Sequence, residues 1–513
     1  MIKKTLFLLL LPSLLFAQQK DTTAIRYSKI ITASEMSKNL HVLASDEFEG
    51  RETGKKGQKM AAEYISNQFK SFGIPPYKDN TYYQTYPLNM ILPVPADMTI
   101  NEKKFIGNKD YYNFPGLSEQ KITSNSVLFL GYGIEEENYN DYKGADVKNK
   151  VIMILAAEPY DAEGKSIVTK TNKPSIWTTY YKAKTEKAKE AGALAILIVV
   201  DDVEKGVADN KHRLETAALK LELPKKEAPV IYISKEMANA ILKKQNIGKI
   251  IEKISKSRKP LKIKAKTNLV IDVKNNVQKI EAENVLGYVE GTDLKEELVV
   301  ITAHYDHLGK EGDVVYNGAD DDGSGTVAVI NLAQAFTQAK KEGHGPRRSI
   351  LFMPVSGEEK GLLGSAYYTE NPVYPLKNTV CDLNIDMIGR LDENHAKNSN
   401  YVYLIGSDKL STQLHNVSEQ ANKTYTNLEL DYTFNDEKDK NRFYYRSDHY
   451  NFAKKGIPVI FYFNGVHADY HKETDEVQKI DFNKMEKITR LVFFTAWELA
   501  NRNDRVLVDS NKK

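Results

Sequence analysis

The chain has 513 residues, 41% hydrophobic and 27% charged, with a formal net charge of +3. That length allows roughly two to four domains and a sizeable core. The near-neutral balance gives no support for nucleic acid or an anionic membrane as a partner. The single cysteine, Cys381, excludes an intrachain disulfide. It sits in apolar, strand-like text and reads as a packing residue.

Residues 1–17 read as a cleavable leader, with a basic start at Lys3 and Lys4, an apolar run over 6–16 and a small residue at Ala17. The run is too short to span a bilayer as a stable helix, and no later run is long enough. The expectation is an exported protein without a membrane span, periplasmic or secreted. Residues 18–93 begin the main domain. A helical stretch over 34–74 carries Ala61, Tyr64, Ile65, Phe69 and Phe72 on one face and ends at Gly73, Pro75 and Pro76. A loop rich in glycine and charge, 43–54, interrupts it.

Residues 94–275 have a different texture. Strands are expected at 127–130, 151–155, 195–200 and 229–233, with a helix over 180–191. The lysine-rich stretch 235–279 reads as a solvated face. No cluster of catalytic residue types falls in this region, which reads as a separate, non-catalytic domain.

From 276 to 505 strands alternate with helices, and 506–513 is a tail. Strands are expected at 298–303, 349–355, 382–385, 401–405 and 458–463, with helices at 326–336 and 485–500. The first strand is apolar on both faces, as in a strand covered by helices on each side. The fold class is α/β, a mixed-sheet α/β/α sandwich. Chemistry-bearing residues follow the strand ends: His304 and Asp306, the triplet Asp320-Asp321-Asp322, Glu358-Glu359, Asp386 and His471. Open α/β sheets bind ligands at that edge. Two imidazoles with carboxylates and no thiolate suit zinc, with cobalt or manganese as neighbours. The ligand count fits two ions: His304 and Asp386 for one, Glu359 and His471 for the other, and Asp321 between them. Glu358 is left as a base, and Asp306 is placed to orient His304 from behind.

The motifs His304-x-Asp306, Gly318-Ala319-Asp320-Asp321-Asp322-Gly323-Ser324-Gly325, Gly357-Glu358-Glu359-x-Gly361, Asp386-Met387-Ile388-Gly389 and Tyr470-His471 resemble the exported di-zinc aminopeptidase family. That family also contains the glutamate carboxypeptidases and the transferrin receptor. The segments 43–74 and Arg446-Ser447-Asp448-His449 resemble further family segments, and 127–234 looks like an inserted protease-associated domain. The resemblance implies a zinc-dependent exopeptidase fold with two zinc ions. Asp321 bridges them, Glu359 is a ligand and Glu358 is the general base toward a metal-bridging water. It also implies peptide substrates with a free N-terminus.

Other readings stand beside this one. A carboxypeptidase of the same fold would need a cation for the substrate carboxylate, and Arg442 and Arg446 are available. A non-catalytic binding protein or a one-zinc glutaminyl cyclase would share the fold. Of the remaining histidines, His307, His344, His395, His415, His449 and His467 read as surface, core or supporting residues. His467 is the alternative to His471. Tyr444 and Tyr445 are candidates to line a substrate pocket.

Overall fold

A computed structural model describes residues 20–510 except 78, 79 and 181. The leader expected over 1–17 lies outside the described residues. Among those described, no helix is long and apolar enough to cross a membrane. The chain forms two units: one runs up to Tyr86 and resumes at Glu281, and the other is Pro87–Ile280. The boundaries expected at 94 and 275 lie within a few residues of these limits. Each lies close to a long strand, Tyr83–Ile91 or Val277–Val285, that begins in one unit and ends in the other. Hydrophobic texture cannot mark a border in the middle of a strand.

The first unit is built on a seven-stranded mixed sheet. Its strands are β1 (Gly287–Val289), β2 (Leu294–His304), β3 (Arg348–Val355), β4 (Thr379–Ile385), β5 (Tyr401–Ile405), β6 (Glu429–Asp431) and β7 (Val459–Phe463). Their spatial order is β1-β3-β2-β4-β7-β5-β6. The central neighbours β3, β2, β4 and β7 are parallel. β1 is antiparallel to β3, and β5 is antiparallel to β7. This is the mixed α/β sheet expected.

Alternation along β2 explains its uninterrupted apolar text. Val299, Ile301 and Ala303 face a core shared with the helices α1 (Gly325–Lys341) and α2 (Phe482–Asn501). Leu298 and Val300 face a second core with Leu351, Met353, Tyr368 and Phe452. Period-two geometry thus serves two apolar layers with one strand. Cys381 of β4 is buried in the first core, and burial pushes its thiol well above the usual range. That matches a packing role.

Register places the functional residues. His304 pairs with Val355, and Thr302 with Asn384. Ile385 in turn pairs with Tyr462. The residues just past β2, β3 and β4 therefore leave the sheet at one edge.

The helical text 34–74 resolves into helices Ala33–Leu43 and Lys56–Ser71 around an irregular turn, Asp46–Arg51. The interruption has a purpose. Arg51 is 1% exposed, and its guanidinium reaches four backbone carbonyls. Nε donates to Tyr305 at 2.8 Å, Nη1 to Leu43 and Asn317 at 2.8 and 2.6 Å, and Nη2 to Gly318 at 2.9 Å. A planar fork of donors suits such divergent acceptors.

The second unit has its own eight-stranded sheet and core. Strands Gln120–Leu130, Val151–Leu155, Ala195–Val199 and Val230–Ile233 run parallel at its centre. The helix expected over 180–191 is shorter, Ala183–Glu190, preceded by a turn at Ile176–Thr179. The lysine-rich stretch forms helices Lys235–Leu242 and Ile247–Ser257 and the strand Lys262–Val273. Ile250 and Ile254 face inward while Lys253 and Lys256 face solvent. The expected tail is partly packed: Val506 is buried, and Asp509 accepts from the Thr412 amide and hydroxyl at 2.7 Å each.

Replacing Arg51 with Met strands four buried carbonyls. The Arg51→Met variant should lose about 3–5 kcal/mol of stability, read from urea denaturation. Wild-type stability would refute the clamp.

Candidate metal centre

His304 ends β2, and its ring enters a pocket with Asp321, Glu358, Asp386 and His471. His304 Nε2 lies 3.2 Å from Asp321 Oδ1, 3.7 Å from Asp386 Oδ1 and 4.0 Å from Glu358 Oε2. On the other side of Asp321, its Oδ2 is 3.1 Å from His471 Nε2. His471 Nε2 is also 3.3 Å from Glu359 Oε2. The five residues read as ligands therefore meet, with Asp321 between the two imidazoles.

The triplet divides its labour. Asp322 accepts amide bonds from His304, Met387 and Gly325 at 3.1, 3.0 and 2.8 Å. By distance alone Asp322 could join His304 and Asp386 around a cation. Its two oxygens are already engaged by backbone, however, so it braces the sheet edge instead. Asp320 accepts from the Gly389 amide at 2.6 Å and faces His467 Nε2 at 3.3 Å. His467, the alternative to His471, thus serves the loop rather than the Asp321 side. Asp475 accepts from the amides of Asp320 and Asp321 at 3.0 and 3.1 Å. Within the triplet, only Asp321 turns both carboxylate oxygens toward imidazoles. Met387 and His471, at φ 55° and 57°, hold left-handed backbone beside this cluster. Such conformations persist only where surroundings enforce them.

Asp306 orients His304 differently from the expectation. His304 Nδ1 meets the Asp306 backbone carbonyl at 3.1 Å, whereas the carboxylate is 3.8 Å away. The Asp306 carboxylate accepts instead from the Thr53 hydroxyl at 2.6 Å and the Glu358 amide at 3.3 Å. It ties the Glu358 loop to the N-terminal segment.

Arg446-Ser447-Asp448-His449 also finds a place. Thr302 donates to Asn384, Asn384 to the Ser447 hydroxyl, and Ser447 to Asp386 Oδ2, at 2.7, 2.8 and 2.7 Å. Such supporting bonds fix a ligand's orientation. His449 is a packing imidazole stacked on Phe461, and burial pulls it down to about 3. Tyr444 and Tyr445 do not line the pocket. Their neighbours Phe443 and Arg446 do, together with Phe461, Phe463 and Tyr470.

Sequence reading missed His307 as a site residue. It is fully buried, and its Nε2 has no hydrogen-bond partner. Its Nδ1 lies 2.9 Å from Glu359 Oε1 and 3.9 Å from Asp321 Oδ2. A signal existed in the glycine motif. Gly318 has φ +51°, and a Cβ there would fall 2.4 Å from the His307 ring, so the ring occupies the place of a side chain.

The electrostatics suit cations at this site. Burial opposes the charged form of both imidazoles. The neighbouring carboxylates nevertheless raise His304 well above its usual range and His471 to about 10. Burial also opposes a charged Asp321, but the His304 and His471 contacts hold it well below the carboxylate range. Asp321 Oδ2 and Glu359 Oε1 are buried and meet only imidazole nitrogens, at 3.1 and 2.9 Å. A divalent cation beside each imidazole would satisfy these atoms, and imidazole with carboxylate suits zinc.

Residues 284–496 match the profile described as Peptidase family M28. Aminopeptidase YwaD of Bacillus subtilis (strain 168) is 25% identical over 335 residues, covering 64% of this chain and 61% of that one. A probable zinc metalloprotease of Pyrenophora teres f. teres is 26% identical over 308 residues, covering 48% and 60%. The chain spans about three fifths of the length of these relatives. An aminopeptidase structure from Aneurinibacillus sp. strain AM-1 superposes with a TM-score of 0.56 at 18% identity. It covers 94% of this chain and 98% of that one, a likeness of fold.

Two outcomes test the centre. With His304 raised well above its usual range and His471 to about 10, a cation must displace their protons, so zinc affinity should climb as pH rises toward about 10. Calorimetry in buffers of different ionisation enthalpy reads the released protons, and a flat pH profile would exclude these imidazoles as ligands. His307→Ala should weaken zinc retention on the order of 10- to 100-fold, measured by chelator competition.

Proposed function

Residues 284–496 belong to peptidase family M28, and from that premise we propose that the chain is an exported zinc aminopeptidase with two ions. The observation that carries the reading is the pair of imidazole–carboxylate groups sharing Asp321, beside a glutamate that neither group needs. His304, Asp386 and Asp321 would hold one ion, and Asp321, Glu359 and His471 the other. Bound zinc supplies Lewis-acid polarisation of the scissile carbonyl and lowers the pKa of water.

Glu358 is the general base. Its side chain is 12% exposed, and burial with nearby Glu359 and Asp386 raises its carboxyl well above the usual range, against the pull of His304. A carboxyl with raised proton affinity is suited to accept a proton and return it. As water oxygen bonds to the peptide carbon, Glu358 takes the water proton. As the carbon–nitrogen bond breaks, it gives that proton to the leaving amine. Tyr470, kept protonated by burial, faces the same pocket as a neutral donor for the carbonyl oxygen. Cleavage from the N-terminus is supported by the likeness to the Bacillus subtilis aminopeptidase. Export rests on the sequence pattern of residues 1–17. We read Pro87–Ile280 as a protease-associated insertion from its position in the chain and its separate α/β sheet.

Zinc content by mass spectrometry and turnover of aminoacyl-nitroanilides and N-blocked peptides test the reading on one sample. The expected result is two zinc ions per chain and cleavage only of free-amine substrates. Cleavage only of N-blocked peptides would make the protein a carboxypeptidase. Glu358→Gln should keep its zinc and lose about 10²- to 10⁴-fold in kcat. Near-normal turnover would remove Glu358 from the mechanism.

A further inference from the structure

Arg446 lines the pocket that holds His304, Asp321, Glu358 and Asp386, yet the proposed hydrolysis does not use it. Its guanidinium carbon lies 4.9 Å from the centre of the Phe443 ring, and Nη2 donates to the Tyr470 hydroxyl at 3.3 Å. Both partners are neutral. Among the described residues no carboxylate pairs with Arg446, whereas Arg347, Arg348 and Arg390 pair with Asp293, Glu297 and Asp469. Most of its donors are therefore open to a ligand. The pocket thus has two sides, the carboxylates and imidazoles that would hold the ions and a guanidinium beside an aromatic ring. The ring under Arg446 and the Tyr470 hydroxyl hold the guanidinium in place, which lowers the entropy cost of binding an anion.

We propose that Arg446 takes a carboxylate of the substrate, which makes the preferred substrates peptides with a free ammonium and a carboxylate within reach of each other. That carboxylate is either the C-terminus of a di- or tripeptide or an acidic side chain. The assignment rests on the peptidase reading above.

The test uses the full chain loaded with zinc. Substrates are Leu-Leu against Leu-Leu-amide, and Glu-nitroanilide against Gln-nitroanilide. The variants are Arg446→Gln and Arg446→Lys. The carboxylate-bearing member should be favoured in kcat/KM, and Arg446→Gln should cut that preference on the order of tenfold or more. The effect should appear in KM, with Arg446→Lys keeping part of the preference. Loss confined to the Leu-Leu pair identifies the C-terminus, and loss confined to the nitroanilides identifies the side chain. Added salt should reduce the wild-type preference in the same direction. If Arg446→Gln lowers charged and neutral substrates by the same factor, Arg446 acts through Tyr470 and the assignment is overturned while the peptidase reading stands. If wild type cleaves no free-amine peptide, the peptidase reading falls, and the assignment with it.

Discussion

The structure depends on keeping many carboxylates together at one buried sheet edge. Asp306, Asp320, Asp321, Asp322 and Asp386 are each at most 7% exposed, and the Glu359 side chain 5%. Like charges in a low-dielectric setting repel strongly unless each is compensated. The chain compensates them unequally. Backbone amides take Asp322, and the Asp320 and Asp321 amides take Asp475. Hydroxyls of Thr53 and Ser447 take Asp306 and Asp386. What remains, on Asp321 and Glu359, faces only the imidazoles of His304, His307 and His471, a donor set that suits cations.

Arg51 shows how far the scaffold goes to permit this. Burial lowers its guanidinium to about 10 even with Asp306, Asp475, Asp321 and Asp322 opposing the shift. It forms no ion pair with any of these carboxylates among the described residues. It binds the carbonyls of Tyr305, Asn317 and Gly318 instead, on the two loops that carry His304 to His307 and the aspartate triplet. The cation supports the geometry from below and leaves the carboxylate oxygens free. The glycine- and charge-rich loop at 43–54 looks like an interruption in sequence because it must bend to bring Arg51 underneath.

The sheet was legible because strands buried on both faces leave uninterrupted apolar text, and their ends are marked by a change to polar residues. The candidate site was legible for the same reason, since parallel strands in register bring their ends together. The division of labour within Asp320-Asp321-Asp322 was not readable from composition, because three identical side chains differ only in where the backbone points them. His307 escaped notice because its partner Glu359 is distant in sequence and a lone histidine in a polar loop is ordinarily unremarked. Residues 506–510 read as a tail because their packing depends on contacts with Leu410 and Thr412, which no local pattern records.

Glu358 and Glu359 are the sharpest case of identity set by surroundings. They are chemically the same and adjacent, yet their carboxyls are driven in opposite directions. Burial raises both. Glu359 also feels repulsion from Asp321, but His471 and His307 overcome it and bring Glu359 down to about 2. Glu358 has only His304 at 4.0 Å to oppose burial and the repulsion of Glu359 and Asp386, so it rises. A carboxylate that stays ionised is suited to hold a cation, and one whose proton affinity is raised is suited to carry a proton. The split follows from strand geometry. Gly357, at φ +76° and with no room for a Cβ against Leu363 and Tyr86, turns the chain just past β3. The next two side chains then reach different neighbours, His304 for Glu358, and His307 with His471 for Glu359. One sharp turn at a strand end thus gives a repeated residue two different surroundings.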